Sequence, residues 1–463
     1  MSGLARDLTA LLDSGKVLTD PEDCHAYACD AVYYFARRAP EAVVLPETPQ
    51  EISGILRYAS DQKIPVTPRG AGTGLSAGCT PVQGGIVLDM KRMNRVLEIN
   101  RGNMTARVES GAVLGPFQQQ VEAMGLFYPP DPQSQEVSTI GGNVSTRAGG
   151  PRGVKYGTTA HYVLGLEVVL PDGEMIRTGG TCVKQSVGYD LTHLMTGAEG
   201  TLGVITKVNL RLLPLPPAHR TAVIVCETLD QAAMLVSEII AEGTIPARLE
   251  YVTSGAVQLM NATLTPPLST DGEAYLFTEL DGSPAQVEED TQRLRSVCDR
   301  LEAMELRIIG DEREAETYWR ARRNLAPTLL RLFKKMIVED VTVPRDRIPD
   351  FVRALQSISA SLGLIIGIGG HAGDGNIHPS IMFPEINDDL EAKAKEAVRR
   401  IVRTGLEMGG TISGEHGIGL HKAEFLVWEL GEAQIALLKR IKKAFDPRGI
   451  MNPGKIWQEG GEA

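Results

Sequence analysis

The chain has 463 residues, 43% of them hydrophobic, which is enough to bury more than one sizeable core and excludes a disordered or disulfide-stapled miniature protein. Its 47 basic residues against 58 acidic ones leave a formal net charge of −11 with no Lys/Arg-rich block, which argues against a nucleic-acid partner. No apolar run approaches the roughly 18 residues that span a bilayer. The opening MSGLARDLTALLDSGKV is charged where a signal peptide is apolar, so a soluble, cytoplasmic protein is expected. The cysteines (Cys24, Cys29, Cys79, Cys182, Cys226, Cys298) form no CxxC pair, so neither a zinc ribbon nor a cysteine-ligated cluster is encoded.

In chain order, Thr48 and Pro49 form an N-cap and first turn ahead of the amphipathic run EISGILRYASDQK. A short strand IPVTP follows and feeds the loop RGAGTGLSAG. Residues 84 to 210 are mostly short β-rich runs (GGIVLDM, RVLEI, TARVES, VLGLEVVL, GVITKVNLRLL) with a helix near GPFQQQVEAMG. This is α+β and lacks the regular alternation of a doubly wound sheet. The prolines of Leu213-Pro214-Leu215-Pro216-Pro217 predict a linker and a domain boundary near residue 216.

Beyond it the expected order is strand TAVIVCE, helix LDQAAMLVSEIIAEG, strands PARLEYV and AYLFTEL, helix AQVEEDTQRLRSVCDRLEA and strand ELRIIG. A second series runs through IVEDVTVP, helix IPDFVRALQSISASLG, strands LIIGIGG and IHPSIMF, and a helix from Asp388 to about Glu407. Two βαββαβ halves predict a ferredoxin-like α+β domain with one antiparallel sheet and helices on one face. The tail carries helix GEAQIALLKRIKKAFDP and ends NPGKIW, packing back on the first domain. The expected domains are 1–216, 217–425 and a C-terminal segment 426–463.

The glycines bunch. In PRGAGTGLSAG, alternating Gly and small hydroxyl residues leave backbone N–H groups free to converge on an anion, although a glycine-rich hairpin turn explains the same pattern. Two further Gly/Ser/Thr stretches, YPPDPQSQEVSTIGGNVSTRAGG and MTGAEGTLGVIT, suggest an extended dinucleotide. With the terminal DPRGIMNPGKIW, these stretches resemble the FAD-binding domain of the vanillyl-alcohol-oxidase and p-cresol-methylhydroxylase type, over nearly the whole chain. Within that group the sequence is most similar to the FAD-linked D-2-hydroxyacid dehydrogenases, which include D-lactate dehydrogenase and the catalytic subunit of glycolate oxidase.

The resemblance implies that the first domain binds FAD and that residues 217–425 form the substrate (cap) domain. It places Arg69, Gly70, Ala71, Gly72, Thr73, Gly74, Leu75 and Ser76 around the pyrophosphate, and Pro132, Thr139, Gly142 and Ser145 along the flavin. Glu199, Gly200, Gly203 and Ile205 fall at the adenosine end, and Asn452 meets the isoalloxazine from the tail. Relatives that attach flavin covalently use a histidine where this chain has Thr73, so non-covalent FAD is expected.

Of only eight histidines, His371, His378 and His416 lie in the glycine-rich segments IGGHAGDGNIHPSI and SGEHGIGLHK. Seven positions separate His371 from His378, which would put them on opposite faces of one straight strand. Ala-Gly-Asp-Gly-Asn between them can break the strand, so two adjacent strands could present both imidazoles side by side. With Glu415 they make an acceptable site for zinc, manganese or iron. The bland alternative is histidines bonded to turn carbonyls. The resemblance implies the metal site, with His371, His378 and Glu415 as ligands; Asp374 and Asn376 read as turn residues, with a place behind the ligands as the alternative.

In YWRARRNLAP a guanidinium suits a carboxylate, while a solvated basic helix face is the common reading of such a run. The resemblance selects Arg322 for the substrate carboxylate, and Arg320 and Arg323 are expected at the surface or close to a phosphate. Relatives acting on diacids have a Thr and a Lys where this chain has Ala326 and Val338, which favours a small monoacid such as D-lactate or glycolate over D-2-hydroxyglutarate.

The expected reaction is oxidation of a D-2-hydroxy acid to the 2-oxo acid, with hydride to flavin N5 and the metal polarising the 2-hydroxyl. His416, of ordinary pKa about 6.5, takes the hydroxyl proton. Electrons then pass to a separate acceptor: a quinone, an electron-transfer flavoprotein or an iron-sulfur subunit. Membrane association through such a partner, and a homodimer, are compatible with the sequence. Two other classes remain open here: a non-haem iron oxygenase, and a flavin-binding electron-transfer subunit without substrate chemistry of its own.

Overall fold

A computed structural model describes residues 3–35 and 38–457. Its contacts divide the chain into two units. The first is assembled from three segments, one running through Ala148, one from Thr158 to Leu215 and one from Glu415 onward. The second comprises Pro216–Gly414 together with Gly149–Gly157, a segment that in sequence lies inside the first expected domain.

The first unit holds a four-stranded sheet and a five-stranded antiparallel sheet. In the smaller sheet Ala42–Val44, Ile86–Asp89 and Val66–Arg69 run parallel, and their apolar side chains meet the helix Pro49–Gln62 in one core. That helix starts where the sequence signals it: the Thr48 side chain accepts from the Glu51 N–H at 3.2 Å, and Pro49 occupies the first turn. The larger sheet pairs Val96–Asn100, Thr105–Glu109, Val204–Arg211, Val163–Val169 and Met175–Gly179 in that order. The tail returns to this unit: Met451 bridges in parallel to Val66, and the backbone exchanges bonds of 2.8 Å between Val66 and Ile450 and between Asn452 and Val66. The proline stretch is less of a linker than its composition predicts, because Leu213–Pro214 pairs with Leu126–Phe127 before the chain leaves.

The second unit is a seven-stranded sheet beside a three-stranded one, rather than one continuous sheet. The break falls where the expected strand LIIGIGG is split into Ile365–Gly367 and Gly369–His371. The first half pairs with Ser380–Phe383 and the second with Arg248–Thr253. The long strands Ala218–Cys226 and Ala274–Gly282 pair over their full length and supply Val223, Val225, Tyr275 and Phe277 to a core closed by Tyr318 and Trp319. The terminal helix Leu426–Phe445 starts earlier than expected and contains a non-helical Gly431 at φ 71°.

Candidate functional site

In the first unit the glycine stretches meet one another and the tail. Gly70 follows the strand Val66–Arg69 and lies so close to Thr139 that a Cβ there would collide with its hydroxyl, with the Gly142 Cα 3.7 Å away. Thr139 caps the helix Ile140–Thr146 through the Gly142 N–H at 3.2 Å. Gly/Ser/Thr composition did not predict that helix. The third stretch joins the second through the Glu199 N–H, which donates to the Ser145 carbonyl at 2.9 Å, while the Ser145 hydroxyl donates to Gly141 at 2.8 Å. Asn452 ties the tail to the first and third stretches: its amide donates to the Gly78 carbonyl at 2.8 Å and the Glu199 carbonyl at 2.7 Å.

Several of these side chains have structural duties that sequence did not reveal. The Glu199 carboxylate is buried and accepts the Ile418 and Gly419 N–H groups, each at 2.8 Å. Burial pushes it above the usual carboxylate range against the pull of those two bonds. The Arg69 guanidinium donates to the Cys29 carbonyl at 2.8 Å and lies over the Tyr27 ring, while the Ser76 carbonyl accepts from Leu420. Ala71, Gly72, Thr73, Gly74 and Leu75 lie in the loop between them; Gly72 is at φ 72° and its missing side chain leaves room for Arg69. Pro132 sits in the loop before the capped helix, its carbonyl accepting from Gln135 at 2.9 Å. Gly200 is at φ 70°, a Cβ on Gly203 would lie 2.8 Å from Val168, and Ile205 pairs with Val168.

Around the same stretches, buried polar atoms lack hydrogen-bond partners within the protein: Asp30 Oδ2, Ser110 Oγ, Ser138 Oγ, Asn143 Nδ2 and Asn452 Oδ1. Buried polar groups are ordinarily satisfied, so this concentration fits an extended polar cofactor such as FAD. Lys455, which sequence reading did not single out, is buried among them and donates to the Thr80 carbonyl at 2.6 Å. Burial lowers its pKa to about 8 despite Cys79, Asp30 and Glu199 nearby.

In the second unit the histidine segment folds as a hairpin. Gly370 pairs with Ile377 and His371 with Asn376, the His378 N–H bonds to the Gly369 carbonyl at 2.7 Å, and Gly375 turns the chain at φ 85°. His371 and His378 thus stand on one face as diagonal neighbours, with ring centroids 5.0 Å apart and a ligand nitrogen of each within 4.8 Å of the other. Asp374 serves the turn, accepting from the Asn376 N–H at 3.2 Å.

Two buried acids back these imidazoles, and neither was found from sequence. Glu250 lies directly opposite His371 in the ladder, and its Oε1 is 2.5 Å from His371 Nδ1. Its Oε2 is 2.9 Å from Nη2 of Arg322, in the last turn of the helix Glu312–Arg323. Burial alone would raise the Glu250 carboxyl, but His371 and Arg322 outweigh it and hold the group below the usual carboxylate range. Asp340, fully buried, accepts from Asn376 Nδ2 and Ser413 Oγ at 2.7 Å each and lies 3.8 Å from His378 Nδ1. A carboxylate on the Nδ1 side of each ring is the usual outer layer of a metal-binding histidine, so the donor set fits a divalent ion. On the same helix Trp319 donates its Nε1–H to Thr221 Oγ1 at 3.0 Å, and Arg322 Nε has no partner within the protein. Glu415 and His416 follow Gly414 directly in the chain; a Cβ on Gly414 would collide with Asn376 and Thr342.

Two family models match the chain. A family model described as "FAD binding domain" matches residues 40–179, and one described as "FAD linked oxidases, C-terminal domain" matches residues 215–456. The chain is 42% identical to the glycolate oxidase subunit GlcD of Bacillus subtilis, over 93% of this chain and 92% of that protein. It is 33% identical to a D-lactate dehydrogenase of Anaerostipes hadrus, over 95% of this chain and 94% of that one. Its fold matches a solved p-cresol methylhydroxylase with a TM-score of 0.83 at 20% identity, over 98% of this chain and 96% of that chain. With a model spanning most of its second half and relatives matched nearly end to end, the chain belongs to the FAD-linked oxidases and is an FAD-linked oxidoreductase.

Proposed function

We propose that the protein oxidises a small D-2-hydroxy acid, D-lactate or glycolate, to the 2-oxo acid and passes the electrons to a separate acceptor. The observation that carries this reading is the buried array of His371, Glu250 and Arg322, which sets a guanidinium beside a candidate metal-binding imidazole. The relatives named for glycolate oxidation and for D-lactate dehydrogenation support the substrate class. FAD, when bound, supplies the two-electron acceptor, and a divalent ion (zinc, manganese or iron) supplies a Lewis acid. Arg69–Ser76, Pro132, Thr139, Gly142, Ser145, the 199–205 stretch and Asn452 hold the FAD. His371, His378 and Glu415 hold the ion.

Arg322 grips the substrate carboxylate, which fixes the acid and aligns its Cα–H and hydroxyl. His416 accepts the hydroxyl proton as the C–H bond breaks, so the substrate loses two protons and two electrons overall. Ala326 and Val338 supply no partner for a second carboxylate, which favours monoacids over D-2-hydroxyglutarate. Electrons leave to a quinone, an electron-transfer flavoprotein or an iron-sulfur subunit. No helix among the described residues is long and apolar enough to cross a membrane.

Anaerobic mixing with D-lactate or glycolate should bleach the flavin absorbance and a chelator should slow it; a flavin that stays yellow with every D-2-hydroxy acid ends this reading in favour of a passive electron carrier. Arg322→Lys keeps the charge but loses the planar fork, and should raise KM by about 10–100-fold. His416→Asn should lower kcat strongly with FAD content intact. Because Thr73 replaces the histidine of covalent relatives, acid precipitation should leave the FAD in the supernatant.

A further inference from the structure

We propose that Glu250 is a positioning residue that joins the two halves of the site, holding His371 for the ion with one carboxylate oxygen and Arg322 for the substrate with the other. This rests on the function proposed above, since it takes His371 as a metal ligand and Arg322 as the carboxylate grip.

The strand Arg248–Thr253 places Leu249, Tyr251 and Val252 in the core, and Glu250 itself is only 1% exposed. A carboxylate so placed loses its hydration, and replacing such an ion with an apolar residue of similar volume is often neutral or stabilising. Fold stability alone therefore gives little reason for an acid here. The geometry gives one. Glu250 faces His371 across the ladder, so the imidazole must donate its Nδ1–H to Oε1, which fixes the tautomer with the Nε2 lone pair turned away from the acid. The negative charge also makes that nitrogen a better electron donor. Oε2 lies 2.9 Å from Nη2, an ion pair that anchors one corner of the guanidinium. Because one side chain serves both partners, a change at Glu250 acts on ion and substrate together.

The test compares the full-length wild type with Glu250→Gln, which keeps shape but not charge, and Glu250→Asp, which keeps charge but falls one methylene short. Chelator-treated protein is titrated with Co2+ alone, reading its visible d–d bands, and KM for D-lactate is measured on reloaded protein. Glu250→Gln should weaken Co2+ binding by about 10–100-fold, shift the d–d bands and raise KM, with FAD content and circular dichroism unchanged. Glu250→Asp should show the same paired effects and carries the test if the Gln variant does not fold. A change in metal affinity without a change in KM, the reverse, or both staying within about twofold of wild type overturns the proposal. A wild type that oxidises D-lactate but binds no Co2+ is a separate result: it removes the ion from the proposed function and Glu250's role with it.

Discussion

Asp30 illustrates what a single buried acid does to this protein. Burial raises its pKa from the ordinary 3.8 to about 6, although the Val32 N–H and Arg69 pull it down. The folded chain therefore holds this proton more tightly than the unfolded chain. The resulting stabilisation is complete below about pH 4 and is lost as pH rises through about 6. Asp30→Asn should flatten the stability profile between those limits and leave the variant about 1–3 kcal/mol more stable at pH 7, as read by urea unfolding across pH. An unchanged slope would assign the dependence elsewhere. The side chains hardest to find from sequence were of this kind. Glu250 sits in the buried strand Arg248–Thr253 and Asp340 in the short link between Lys335–Val338 and Val341–Thr342, with no motif around either, and the one available signal is an acid in an otherwise buried stretch. His371 and His378 stood out because histidine is scarce and both fall in one glycine-rich segment, whereas Arg322 was singled out of its basic run only by the resemblance.

The hairpin that carries the two histidines depends on its turn more than on its strands, which are only two and three residues long. Gly375 is the constrained position: its φ of 85° disfavours any side chain, and a Cβ would strike the Val343 carbonyl. Gly375→Ala should cost about 1–3 kcal/mol of stability and weaken metal binding, with hydrogen exchange accelerating at the His378 amide first. Period-two reasoning anticipates this break, since an odd spacing cannot put both imidazoles on one face without it. The same reasoning fails at LIIGIGG, where the run is apolar and β-prone on both sides of Ile368 and nothing local says that its halves pair with different strands. It fails again at Ile140–Thr146, whose Gly, Ser and Thr content argues against helix until the Thr139 cap is seen.

At the scale of the molecule, the prolines give the sequence its one expected boundary near residue 216, whereas the assembly of each unit from separated segments leaves no mark in composition. Local composition carries no record of which distant strand completes a sheet, as the return of Met451 to Val66 shows. Deleting residues 446–463 would remove that bridge, the Asn452 tie and the Asp446 carboxylate that accepts the Ile450 and Met451 N–H groups. Such a chain should lose FAD and the first unit's unfolding transition while the second unit still melts cooperatively in calorimetry.

The same bridge imposes an order on synthesis. Met451 emerges 385 residues after Val66 (451 − 66), about 20–80 s at ordinary translation rates. Through that interval the second unit, nearly contiguous in the chain, can close on the ribosome, while the strand Val66–Arg69 waits with an open edge. The nascent protein is thus most prone to aggregate through its amino-terminal half, and slowing the ribosome between the second unit and the codon for Met451 should lower soluble yield more than slowing it before Pro216.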